Sequence, residues 1–165
     1  MAFYFFVASA VVKYFHQEPG SRWVRQLVEA REFPNAPRSH EIFIANISLA
    51  EVPAAFAILA RTRRIGTAAR DSMYDAFLNR VGEDFNLVEV TTELAYGAGE
   101  LTQKYSLKGY DAVQLAIASD LDQSVRDTNS FLTFVSGDDA LLEAARAEGM
   151  ATENPFDHHE LDTAR

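Results

Sequence analysis

Three carboxylates stand where short apolar runs give way to helical periodicity. Glu51 lies in Ile47-Ser48-Leu49-Ala50-Glu51-Val52, just past an apolar run. Asp111 opens Asp111-Ala112-Val113-Gln114-Leu115-Ala116, and Asp138 follows Phe134-Val135-Ser136-Gly137. Carboxylates that converge at one end of a sheet supply the oxygen ligands that Mg²⁺ or Mn²⁺ prefer. A cation held there activates water and stabilises charge developing on a phosphate. Each acid also has a structural role open to it. Ser48-x-x-Glu51 matches a capping box, and Asp111 and Asp138 suit helix N-termini as caps or against the macrodipole. Taken one at a time, the structural role is the commoner. Spacing alone does not bring three acids so far apart in sequence together.

Other candidate chemistry is thinner. His158, His159, Glu160 and Asp162 are metal-binding types, but they fall in a polar segment after Pro155 that is expected to be mobile. Ser9 lacks the context of a nucleophile elbow, and no glycine-rich phosphate loop occurs. The chain has no cysteine, which excludes disulfides, thiolate zinc sites and cysteine nucleophiles and is compatible with a reducing cytoplasm.

The elements that must position the acids follow from hydrophobic periodicity. Residues 3–8 form a short apolar run of strand length, and 9–15 read as a short helix closed by the Glu18-Pro19-Gly20 turn. Ser21 can cap a second helix with Trp23, Val24, Leu27 and Val28 on its apolar face. Residues 42–47 are a second strand, and from Ser48 the period becomes helical, with Pro53 required to sit early or to kink the helix. Further helices are expected over 67–81, around Leu94 to Tyr105, over 111–121 and over 138–148, with Gly149 as a C′ glycine. Strands are expected at 87–90, 131–135 and 151–153. Strands alternating with helices imply parallel pairing through right-handed crossovers, hence an α/β fold with three layers, α/β/α, and a central, mainly parallel sheet. Ligands in such sheets gather beyond the carboxyl ends of the strands.

A chain of 165 residues fits one domain, expected over 1–155 with a polar tail over 156–165. No apolar run approaches the ~20 residues that span a bilayer. The apolar N-terminus lacks the basic stretch of a signal peptide and reads as a buried first strand. The net charge of −9 opposes nonspecific attraction to nucleic acid. An acidic protein of this kind acts on RNA only where cations neutralise its site, or else it awaits a basic protein partner.

Taken together, the motifs resemble PIN-domain proteins of the VapC toxin type. The opening Phe3-Tyr4-Phe5-Phe6-Val7-Ala8-Ser9-Ala10-Val11-Val12-Lys13-Tyr14 with Glu18-Pro19-Gly20-Ser21 is similar to the start of that family. Ile47-Ser48-Leu49-Ala50-Glu51-Val52-Pro53 resembles its second motif, Gly109-Tyr110-Asp111-Ala112-Val113-Gln114-Leu115-Ala116 its third, and Phe134-Val135-Ser136-Gly137-Asp138-Asp139-Ala140 with Glu148-Gly149-Met150 its closing region. The resemblance runs over nearly the whole chain in the family's order. It implies a Mg²⁺-dependent endoribonuclease fold, often dimeric and paired with an antitoxin that blocks the acidic pocket. It assigns metal-site roles to Glu51, Asp111 and Asp138. Asp111 would be a principal ligand, Glu51 would bind metal or orient water, and Asp138 would complete the cluster. The departure is at the first motif, where the family has an Asp and then a hydroxyl residue. Here Val7 and Ala8 stand instead. Val cannot ligate a metal, and the loss of one acid also relieves repulsion among the rest. Val7 is equally an ordinary β-branched strand residue.

Two functions are therefore expected. One is a VapC-like ribonuclease toxin by lineage, with Mg²⁺ or Mn²⁺ held weakly or not at all and activity reduced or lost. The other is a non-catalytic module whose pocket takes arginines from a basic, antitoxin-like partner, or RNA that it does not cut.

Overall fold

Apolar residues alternate across the three central strands so that each of these feeds two cores, and this dictates a sheet covered on both faces. The computed structural model describes residues 1–163. Its sheet holds β1 (Ala2–Phe6), β2 (His40–Ala45), β3 (Asn86–Val88), β4 (Leu132–Val135) and β5 (Ala151–Glu153), in the order β3-β2-β1-β4-β5. Every pairing among them is parallel, with Phe5 opposite both Phe43 and Phe134. Phe6, Ile42, Ile44 and Val135 point into one core with Val11, Val24, Val52 and Phe56. Phe5, Ala45, Leu132 and Phe134 point into the other with Leu115, Ile117 and Leu141.

The helices on the first face are α1 (Ala8–Phe15), α2 (Ser21–Glu29), α3 (Ser48–Arg61) and α4 (Thr67–Arg80). The opposite face carries α5 (Thr92–Lys104), α6 (Gly109–Arg126) and α7 (Asp139–Ala147). Connections leave β1 and β2 towards one edge of the sheet, whereas the path from β3 through α5 and α6 returns past β1 to β4. Helices therefore change face at β1 and β4, and the carboxyl ends of those two strands form the switch point where such folds bind ligands.

Several local details differ from the sequence reading. β2 ends at Ala45, because the Asn46 carbonyl accepts from Leu49 N and its side chain accepts from Val90 N, turning the chain into α3. α6 runs on to Arg126, where the Arg126 guanidinium bonds Asp122 one turn back. Pro53 is accommodated inside α3. Gly149 has the positive φ of 86° that a C′ glycine supplies after α7. Gly20, not Ser21, is the N-cap of α2, at φ 86°. The Ser21 hydroxyl instead accepts from Glu18 N and donates to the His16 carbonyl.

The segment after Asn154, read from sequence as a mobile tail, contains a 3₁₀ turn, η1 (Pro155–His158), and a short helix, α8 (Glu160–Thr163). Both pack on α2: Asp162 accepts from Gly20 N at 2.6 Å and Arg22 N at 2.9 Å, and the His158 ring stacks on Trp23 at 4.3 Å. A Cβ at Gly20 would stand 2.1 Å from the Pro155 carbonyl oxygen, so glycine is required there by contact as well as by φ. Among the described residues, no helix is long and apolar enough to cross a membrane.

Candidate acidic site at the carboxyl end of the sheet

The ends of β1 and β4 are joined just beyond the sheet, where Val7 N donates to the Val135 carbonyl at 3.1 Å. Val7 is the N-cap of α1 and, having no polar side chain, makes no side-chain cap. Its side chain is 5% exposed and belongs to the core under α6 and α7. Across from it, the Asp138 side chain caps α7 by accepting from Leu141 N at 3.0 Å. The Asp138 amide donates to the Ser136 hydroxyl, and Ser9 Oγ accepts from Gly137 N. Asp111 lies in the first turn of α6, and Glu51 in the first turn of α3.

These elements enclose a cavity of about 190 Å³ whose walls include Val7, Glu51, Tyr110, Asp111, Gln114 and Asp138. All three acids singled out in the sequence thus face one space, with Val7 in its wall. Among the described residues, however, no three acids or histidines approach closely enough to form a metal-holding group. The capping box does not form: Ser48 is the first residue of α3, whose N-cap Ile47 makes no side-chain cap. Gln114 takes up both partners instead, donating from Nε2 to Glu51 Oε2 at 2.6 Å and to Ser48 Oγ at 3.3 Å. In the sequence Gln114 is marked only weakly. Its signal was a lone amide in an otherwise apolar stretch of helix, and it is buried at 2% exposure with Oε1 unpartnered. The tail residues lie elsewhere: His158 pairs with Glu153 at 2.9 Å and Asp162 with α2, and neither residue lines the cavity.

The sequence profile of the PIN domain matches residues 4–147. This chain belongs to the PIN-domain family. Solved structures share the fold. The structure described as FitAcB from Neisseria gonorrhoeae is 14% identical at a TM-score of 0.60, covering 93% of this chain and 98% of its own. VapC20 from Mycobacterium tuberculosis, described as a sarcin-ricin-loop-cleaving toxin, is 16% identical at 0.55, covering 86% and 94%. A toxin-antitoxin complex from Klebsiella pneumoniae contains a chain 16% identical at 0.53, covering 94% and 98%. No curated protein matches the chain in sequence.

Burial and mutual repulsion dominate the electrostatics of this PIN pocket. The Asp111 carboxyl titrates above its ordinary range, first because it is desolvated and then because Asp138 is charged, with Lys108 opposing. Glu51 is raised as well, by desolvation and by the charge of Asp111, against the lowering hydrogen bond from Gln114. The folded chain therefore keeps these protons to higher pH than the unfolded chain does. Their contribution to stability is fully present below the ordinary values of 3.8 and 4.5 and is lost as pH rises through the raised folded values. At neutral pH that contribution is gone from both groups. Asp111→Asn should then raise the melting temperature at pH 7 by about 2 °C, in keeping with the usual trade of stability for a functional site. The gain should vanish near pH 4. A melting temperature at pH 7 equal to or below the parent's would contradict this.

Proposed function

We propose that this chain is a VapC-like PIN-domain protein, a divalent-cation-dependent endoribonuclease by lineage, whose cleavage is reduced or lost because Val7 stands in the place of the first acid. One observation carries the reading: a buried, apolar Val7 at the end of β1 forms part of the wall of the cavity lined by Glu51, Asp111 and Asp138. The donor chemistry of that cavity fits a hard cation such as Mg²⁺ or Mn²⁺, since it consists of carboxylate oxygens. The number of acids falls short, because among the described residues no three form a metal-holding group. Asp111 and Asp138, whose charges already repel each other, would hold the cation, weakly. A divalent cation bound there supplies water activation and neutralises charge developing on a scissile phosphate. Glu51, which accepts from Gln114, would orient a water or take its proton. Asp138 owes its position to the α7 cap and to Ser136. An antitoxin-like partner, a homodimer and a cytoplasmic location belong to the same proposal; the partner has support in the toxin-antitoxin complex among the structural neighbours.

A second reading rests on a separate observation. Glu51 is already engaged by an amide, and among the described residues no Lys or Arg lines the cavity. Such a pocket suits an arginine fork from a basic partner segment without any chemistry. The two readings part in an RNA cleavage assay with Mg²⁺ or Mn²⁺. Val7→Asp is expected to gain cleavage on the order of 100-fold or more, above the loss typical of an outer-shell partner, and Asp111→Ala in that background should abolish it. No gain in Val7→Asp would leave the binding-only reading in possession.

A further inference from the structure

The lip of the cavity carries the Tyr110 ring and, beside it, the Lys108 ammonium, which is hydrogen-bonded to the Tyr110 side chain. Lys108 is the N-cap of α6, makes no side-chain cap, and places a cation at the positive end of the helix dipole, where cations are disfavoured. Tyr110, the second residue of α6, lines the cavity and remains 50% exposed. Lys108 Nζ lies 5.7 Å from the centre of the Tyr110 ring. Its charge is felt by Asp111 within the cavity. At about 190 Å³ the cavity is smaller than the roughly 300–1,000 Å³ of a typical small-molecule pocket. A cavity of this size has room for a phosphate-sized group, so the remainder of a larger ligand would lie across the lip. An exposed ring beside a single cation matches the two faces of a nucleotide, base and phosphate.

We propose that Lys108 and Tyr110 seat the nucleotide next to the phosphate in the acidic cavity, with the ring stacked on its base and the ammonium paired with a flanking phosphate. This rests on the ribonuclease lineage proposed above and narrows the substrate to RNA whose base at that position is unpaired, since a base held in a duplex cannot stack on a side chain. In a protein of net charge −9, one well-placed cation and a sequence-tolerant stacking platform supply attraction that the surface as a whole does not.

The test is fluorescence anisotropy with a short labelled single-stranded RNA, in EDTA, where cleavage cannot intervene, and again in Mg²⁺. Tyr110→Ala should weaken binding at least about fivefold, the lower end of what one lost base stack costs. Tyr110→Phe keeps the ring and should recover most of the binding lost in Tyr110→Ala, and neither variant should shift the melting temperature beyond about 1 °C, because the ring is half exposed. Lys108→Ala should flatten the dependence of log affinity on log salt by roughly 0.7, one phosphate's share on a single strand. If the parent binds the RNA and Tyr110→Ala binds equally well, the inference is overturned while the ribonuclease reading stands. If neither the parent nor Val7→Asp binds RNA under either condition, that reading falls and this inference with it.

Discussion

Val7→Asp is expected to lower the melting temperature of the cation-free protein by roughly 4–8 °C and to make it rise again with Mg²⁺ or Mn²⁺. Two effects oppose each other. The new carboxylate would be nearly buried, in a position 5% exposed, close to acids that already repel one another. An unpaired charge buried in this way costs about 3 kcal/mol. Against this, position 7 is the N-cap of α1, with an extended backbone (φ −75°, ψ 164°) and no side-chain cap at present. An Asp there recovers about 1 kcal/mol by accepting from the first-turn amides. The net loss is about 2 kcal/mol, and each kcal/mol moves the melting point of a domain this size by roughly 2–4 °C. A cation bound at a hundred times its dissociation constant returns about 2.7 kcal/mol. Melting curves of parent and variant across a Mg²⁺ titration decide the matter. Equal cation responses in the two chains would mean that position 7 does not face a cation site.

The three acids were legible in the sequence as residues at the ends of apolar runs, but their convergence was not. It depends on β1 and β4 being neighbours, and the order β3-β2-β1-β4-β5 is set by which helix covers which face, a non-local matter. The apolar runs gave the strands, and the two-sided burial of Phe5 and Phe6 explains why those runs are continuous. Ser48 and Glu51 show where a local pattern loses to a tertiary one. The capping-box spacing is present, yet Gln114 from α6, buried among apolar neighbours with its amide in need of acceptors, claims both side chains. The docked C-terminal segment was hidden for a different reason. η1 and α8 have four residues each, too few for periodicity to register, and their anchors are contacts with α1 and α2 far away in sequence.

Those anchors lead to a second large effect: ending the chain after Asn154 should cost about 3 kcal/mol, lowering the urea midpoint while the remaining residues stay folded. Lys13 is the reason that the loss exceeds that of a surface tail. Its side chain is 1% exposed, bonded to Glu18 and to the Pro19 carbonyl, and its ammonium sits 3.6 Å from the centre of the Phe156 ring. A desolvated cation over a ring is worth about 2 kcal/mol, and truncation exposes that face of Lys13 to water. The Trp23–His158 stack contributes roughly another 0.5–1.5 kcal/mol. The amides of Gly20 and Arg22, which now donate to Asp162, sit at the start of α2 and regain water, so their share is small. Phe156 also covers Gly137, where a Cβ would lie 2.9 Å from the ring. Gly137 is next to Asp138, so the truncation should loosen the acidic cavity as well as α2. Trp23 is the only tryptophan, and its emission should change on truncation even before urea is added. A truncated chain with the parent's urea midpoint and Trp23 emission would show that the segment contributes nothing to the fold. A loss reproduced by Asp162→Ala alone would assign the effect to the α2 amides instead of to Lys13.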